Sequence, residues 1–229
     1  MLILAFLLKE RARIDWPMTR MIEFNKLTLN FIEMSAELTE LFGELQESRN
    51  RLHHMAYNDS LTGVKNRSYF MNVLRERADT ASAEKPHALL YMDLNGFKGI
   101  NDTFGHNAGD AVLKTVADRL AGICGETGEL ARIGGDEFVV LLPESSKELA
   151  ARMAHSIIER IGMPIEFNGH SLQVGVSIGI SLYLIDSHSV EEFMQHGDMA
   201  MYASKKTKAV KRSHFTFYDT ISQEEVEVE

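Results

Sequence analysis

The sequence predicts an α+β or α/β sandwich, a mixed sheet flanked by helices, preceded by a long helical stalk. Three observations carry that expectation. Residues 24–55 place apolar side chains at alternating steps of three and four with no proline to break the run. Beyond them, apolar runs of strand length alternate with stretches of helical periodicity. The 229 residues are 45% hydrophobic and 25% charged, a balance that builds a core, and the length suits one full domain plus an appendage.

The chain opens on an apolar run, Met1 to Leu8, followed by Lys9, Glu10, Arg11 and Arg13. A spanning helix takes about 20 apolar residues, so this run is too short to cross a bilayer alone. It also lacks the basic start and small-residue cleavage site of a signal peptide. Two readings stay open: a buried helix start, or the cytoplasmic end of a membrane helix whose beginning is missing. The basic residues after the run suit the inner side of a membrane. The stalk follows, with its seam at Phe24, Leu27, Phe31, Met34, Leu38, Leu41, Leu45, Ser48, Leu52 and Met55, flanked by Glu, Arg, Asn and Gln. A narrow apolar seam with a 3.5-residue repeat favours a left-handed coiled coil between two chains over a helix packed on its own domain.

In the body, a helix is expected from near Asn66, a plausible N-cap, to beyond Arg77. His87 to Leu94 reads as a buried strand and Ala108 to Gly122 as a helix. Leu130–Ile133 and Phe138–Leu142 read as strands joined by the turn Gly134-Gly135-Asp136-Glu137. A helix from Lys147 to Gly162 and strand-like stretches at Ile165–Phe167 and Leu172–Tyr183 come next. A helix from Val190 to about Lys206 and a short strand, Phe215–Tyr218, close the body. The readings divide the chain into a helical stalk over 1–56, a body over 57–219 and a tail over 220–229. Glu224, Glu225, Glu227 and Glu229 make that tail acidic and, on composition, disordered.

A formal net charge of −9 argues against grip on a nucleic-acid polymer, which needs clustered Lys and Arg. One cysteine, Cys124, excludes an internal disulfide framework and reads as a small core residue. No HExxH spacing and no GxxxxGK[ST] phosphate loop is present. What stands out is carboxylates. Asp93 sits at the end of the buried strand, where a charge is costly unless paired or metal-bound. Asp136 and Glu137 lie in a turn whose glycines permit close backbone approach. If the strands are neighbours, the three converge at one sheet edge as hard oxygen ligands suited to Mg²⁺, which typically takes one or two carboxylates plus substrate phosphates.

Arg-Ile-Gly-Gly-Asp-Glu-Phe138 is far more specific than an ordinary Asp-Gly turn. It is joined in order by Asp59-Ser-Leu-Thr-Gly-Val-Lys-Asn-Arg67, Asp93-Leu-Asn-Gly-Phe-Lys-Gly-Ile-Asn-Asp102, Phe104-Gly-His-Asn-Ala-Gly-Asp110 and Met201-Tyr202 with its following lysines. Over about residues 57–219 the chain resembles the GGDEF-domain diguanylate cyclases. The resemblance implies a ferredoxin-like sheet related to nucleotidyl-cyclase palm domains, and condensation of two GTP to cyclic di-GMP with release of two pyrophosphates. It implies that Asp93, the Leu94 carbonyl and Asp136 bind Mg²⁺, or Mn²⁺ in its place, with Glu137 assisting; Asp93, Asp136 and Glu137 are then the catalytic set. It implies that Asn101 and Asp110 hydrogen-bond the guanine edge, that Lys98 faces the triphosphate, and that Phe97, Gly134 and Gly135 line the substrate. An amide plus a carboxylate can match guanine's acceptor and donors as adenine cannot. His106 and Asp59 are assigned to local structure, and Lys98 is placed on an exposed loop.

Three departures from the family pattern are visible. Asn95 replaces the commoner aspartate of the strand-end motif. Gly125 and Gly128 stand where product-inhibited members carry an arginine and an aspartate, so no product-inhibition site is expected. In the terminal helix the cation that reaches the phosphates is ambiguous: Lys205 in one alignment, Lys208 and Arg212 in the other. The leading expectation is an active, homodimeric enzyme of bacterial second-messenger signalling, cytoplasmic or at the inner face of the membrane, attached there through a missing N-terminal region. The alternative is a catalytically silent GTP-binding signalling module.

Overall fold

The computed structural model describes residues 18–82, 84–125, 127–206 and 213–221. The Met1–Leu8 run, Lys208, Arg212 and the tail glutamates lie outside the described residues. The chain divides into two compact units, Met1–Leu52 and His53–Glu229.

Helix α1, Met18–Tyr57, carries the stalk pattern over 40 residues. Its seam is open to solvent in the single chain: Phe24 is 67% exposed, Leu38 48% and Leu45 65%. Apolar exposure is wider than the seam, because Met21, Leu29, Ile32 and Phe42 also stand in solvent. Among the described residues no helix is long and apolar enough to cross a membrane.

In the second unit a six-stranded mixed sheet has the order β1-β3-β4-β2-β7-β8. The strands are β1 (Lys65–Asn66), β2 (Ala88–Asn95), β3 (Glu129–Gly134), β4 (Glu137–Leu142), β7 (Gly175–Leu182) and β8 (His214–Phe217). β2 lies at the centre, antiparallel to both β4 and β7, while the outer pairs β1/β3 and β7/β8 are parallel. Helix α4 (His106–Cys124) links β2 to β3, and α5 (Lys147–Ile161) leads from β4 toward β7. Two βαβ units therefore interleave, each leaving a gap that a strand of the other fills. A central strand buried on both faces needs a continuous apolar run, which is why β2 reads Ala-Leu-Leu-Tyr-Met before its carboxylate.

One face of the sheet packs Leu90, Met92, Phe138, Val140 and Ile178 against α4 and α5. The other packs Leu89, Tyr91, Val139 and Leu141 against α2 (Arg67–Ala78) and α6 (Val190–Lys206). The helices begin where the sequence carries caps: Asn66 accepts from the Tyr69 amide and Ser146 from the Leu149 amide. Cys124 is buried in the core, and burial pushes its thiol up to about 12, as suits a small apolar residue.

The structure corrects three local expectations. The segment after β2 is not a loop but a helix, α3 (Phe97–Phe104), entered through Gly96 at φ 83°. Lys98 is therefore on the first turn of a helix, and exposed. The Leu172–Tyr183 stretch splits, because β6 (His170–Leu172) turns back on β5 (Ile165–Phe167) as a separate hairpin. Its turn residues Asn168 and Gly169 take φ of 49° and 79°, as a tight primed turn demands. Finally, the signature turn is shorter than four residues, since Gly134 ends β3 and Glu137 starts β4.

Candidate functional site

Register brings the carboxylates together. Asp93 on β2 lies opposite Glu137 on β4 and Ser177 on β7. The signature turn folds back over the end of β2, with the Leu94 amide donating to the Asp136 carbonyl at 3.3 Å. Of the two signature glycines only Gly135 needs its freedom, at φ 52°. Beneath the turn a cavity of about 360 Å³ is lined by Asp93, Leu94, Phe97, Lys98, Asp136 and Lys205, with Asn95, Gly96, Ser177 and Ser204 completing the wall. Glu137, Gly134, Gly135, Asn101 and Asp110 do not line it.

Asp93 is buried, and its Oδ2 accepts from Lys205 Nζ at 2.7 Å. Burial raises its carboxyl above the ordinary range; the Lys205 hydrogen bond opposes this and the neighbouring Asp136 charge adds to it. Glu137 is also raised, by burial first and then by the charges of Asp198 and Asp93. Its Oε2 accepts from the Tyr91 hydroxyl at 3.4 Å, and burial followed by the Glu137 charge raises the Tyr91 phenol in turn. Asp198, on α6, had no role in the sequence reading, because nothing local marks a helix carboxylate as facing a distant strand.

The donor set is hard: two carboxylates and a main-chain carbonyl at one cavity. Among the described residues no group of three or more His, Cys, Asp or Glu side chains is placed to hold a metal ion by itself. The two carboxylates and the carbonyl are hard oxygen donors of the kind Mg²⁺ takes together with water and phosphate. The Lys205 ammonium on Asp93 already marks this oxygen as a place for a cation.

The guanine candidates sit at the contact of α3 with α4. Gly109 is what permits it: a Cβ there would lie 2.0 Å from Asn101 Oδ1. The Asn101 carboxamide thus occupies the space of an absent side chain, beside the residue that precedes exposed Asp110. The glycine of the Phe104–Asp110 motif is thus required by this close approach.

One further residue, Arg132, has a role that the sequence pattern does not reveal. Arg132 donates to the Gly135 carbonyl from Nε at 2.9 Å and from a terminal nitrogen at 2.7 Å, and its other terminal nitrogen donates to Asp59 at 2.8 Å. Asp59 also accepts from the Thr62 amide and hydroxyl. Burial raises its carboxyl, but those hydrogen bonds outweigh burial and hold it below the usual range. It is local structure, as expected, yet it also anchors the arginine that clamps the signature turn. Asn95 turns away from charge chemistry altogether, paired with the Ser177 hydroxyl at 3.0 Å. His106 is exposed at the start of α4.

Fold and site together define an α+β domain in which a carboxylate of the central strand and one of the neighbouring turn border a cavity with two lysines. The family model for the diguanylate cyclase GGDEF domain matches residues 56–211, and the chain belongs to that family. It is similar to diguanylate cyclase TpbB of Pseudomonas aeruginosa, 36% identical over 217 residues, covering 93% of this chain and 50% of that protein. Diguanylate cyclase DgcN of Escherichia coli is 34% identical over 194 residues, covering 84% of this chain and 47% of that one. Among solved structures, the coiled coil and GGDEF domain of DgcB from Caulobacter crescentus, crystallised with c-di-GMP, superposes with a TM-score of 0.70 at 26% identity. That match covers 83% of this chain and 98% of the crystallised one. The chain spans half or less of the length of the curated relatives it matches.

Proposed function

We propose that the chain is a diguanylate cyclase, condensing two GTP into cyclic di-GMP and two pyrophosphates. The observation that carries the reading is the meeting of Asp93, Asp136 and the Leu94 segment with Lys98 and Lys205 around one cavity. In each of two steps a ribose 3′-oxygen bonds to the α-phosphorus of the other nucleotide, the bond to pyrophosphate breaks, and the hydroxyl proton is released. Mg²⁺ or Mn²⁺, held by Asp93, Asp136 and the Leu94 carbonyl with Glu137 nearby, would neutralise phosphate charge and acidify the attacking hydroxyl. Lys98 and Lys205 bind the polyphosphate from two sides of the cavity. Asn101 and Asp110 select guanine by pairing with its carbonyl and nitrogen donors. Phe97 lines the same cavity.

One domain holds one GTP, so two bonds need two domains. The open seam of α1 fits a second copy of the chain: helices paired there bury Phe24 through Leu45 and raise the local concentration of the second loaded domain. The domain division we favour is a stalk over 1–56, a catalytic domain over 57–219 and a tail beyond. We place the work in the cytoplasm; attachment at the inner face of a membrane is the alternative, carried by the apolar run Met1 to Leu8. Neither Gly125 nor Gly128 can supply the charged side chains of a product-inhibition site.

The test is incubation of the purified chain with GTP and Mg²⁺, with the nucleotides resolved chromatographically. Cyclic di-GMP and pyrophosphate should form, and Asp136→Ala or Asp93→Ala should abolish both while thermal unfolding stays cooperative. A chain that binds GTP and forms no product is the silent module instead.

A further inference from the structure

We propose that Lys205 is a tethered cation that competes with a divalent metal for Asp93, so that metal binding requires this lysine to leave. The inference rests on the reading of Asp93 and Asp136 as metal ligands. It begins in the packing of α6. A Cβ on Gly179 of β7 would lie 2.0 Å from the Gly197 carbonyl and 2.1 Å from the Met201 amide. Helix backbone therefore rests directly on strand backbone. From that contact Lys205 is eight residues on from Gly197, about two turns, which carries it past the sheet to the end of β2. Ser204 fastens the same turn to β8 by donating to the His214 carbonyl at 2.9 Å. That bond ties the turn bearing Lys205 to the sheet, and the partly exposed lysine side chain extends from it.

The two partners of the ion pair differ in freedom. The Asp93 side chain is 10% exposed and sits mid-sheet, whereas that of Lys205 is 38% exposed on a flexible stem. The carboxylate stays and the ammonium can depart. A divalent ion on the Asp93 oxygen would meet the ammonium at contact range, where like charges repel strongly. A polyphosphate in the cavity, already faced by Lys98, offers the displaced ammonium a new anion. Metal alone then works against Lys205, while metal with a triphosphate works with it. Reciprocal linkage makes the two ligands bind synergistically.

The experiment is Mn²⁺ binding to the full chain without nucleotide, read by electron paramagnetic resonance, for wild type, Lys205→Met and Asp93→Asn. Lys205→Met keeps most of the aliphatic stem and should bind Mn²⁺ about tenfold tighter, the order of one charge-assisted hydrogen bond removed from competition. In the wild-type chain, Mn²⁺ should also raise the acylation rate of Lys205 by an amine-reactive ester, followed by mass spectrometry. That measurement stands even if the variant folds poorly. Equal Mn²⁺ affinity in wild type and Lys205→Met, or unchanged Lys205 acylation, overturns the competition and leaves the metal reading intact. Undiminished binding by Asp93→Asn, or none by any chain, overturns the metal reading and this proposal with it.

Discussion

Replacing Gly109 with alanine puts a methyl carbon 2.0 Å from Asn101 Oδ1, 2.9 Å from its Cγ and 3.2 Å from Phe97 Cζ. Non-bonded carbon contacts settle near ~3.5 Å, so the carboxamide has to retreat by roughly 1.5 Å. The obstacle is side chain rather than backbone, and α3 and α4 can therefore stay in place while Asn101 swings out. A hydrogen bond lost with its guanine partner left unsatisfied costs about 1–3 kcal/mol. At tenfold per ~1.4 kcal/mol, GTP binding should weaken about 5- to 140-fold. Stability should move the other way or not at all, because alanine is favoured over glycine in a helix interior by about 0.8–1 kcal/mol. The expected pattern is a raised KM for GTP in product-formation assays, weaker binding of a fluorescent GTP analogue, and a Tm equal to or slightly above wild type. If the variant binds GTP within twofold of wild type, Asn101 is not a guanine contact and the account of Gly109 is wrong.

Other outcomes follow from the same structure. Charged replacements of Leu38, Leu41 and Leu45 put unpaired charge into the proposed dimer seam at a cost of several kcal/mol; sedimentation should show monomers and specific activity should climb steeply with protein concentration. A monomeric variant with undiminished, concentration-independent activity would sink the two-domain mechanism. His87 is 2% exposed; its Nδ1 accepts from the Glu144 amide at 3.0 Å and its Nε2 donates to the Arg77 carbonyl at 2.9 Å. His87→Ala orphans the Glu144 amide, while the Arg77 carbonyl keeps the Thr80 amide and hydroxyl; the loss should cost about 1–3 kcal/mol in denaturant unfolding, with turnover per folded molecule kept. Glu137 has a folded pKa above its unfolded value, so its ionisation opposes folding at neutral pH, an effect lost as pH falls through the folded pKa. Glu137→Gln should therefore raise the apo Tm at neutral pH, with the gain shrinking as pH falls toward the ordinary glutamate value near 4.5. A gain independent of pH would refute that cause.

Local patterning and tertiary placement contribute to this site in different ways. Strand β2, the caps at Asn66 and Ser146, and helix α6 from Val190 to Lys206 were legible because each is written in neighbouring residues: an unbroken apolar run, an oxygen three residues before its amide, a recurring apolar face. The carboxylates of Asp93, Asp136 and Glu137 were legible as motifs, and their convergence needed only that β2 and β4 be neighbours. Helix α3 was not, because it is only eight residues long, is preceded by a glycine cap at Gly96 and carries another glycine at Gly99, and its stability comes from Ile100 packing into the core. Nor was the choice among terminal-helix cations settled by spacing. Lys205 reaches Asp93 because Gly179 and Gly197 let α6 settle onto β7, a contact between residues far apart in the chain. Arg132 meets Asp59 across 73 residues for the same kind of reason. Periodicity and capping act over one or two turns, so a chain spells them out locally. Ion pairs and close approaches depend on sheet register and helix depth, which exist only once the whole core has packed.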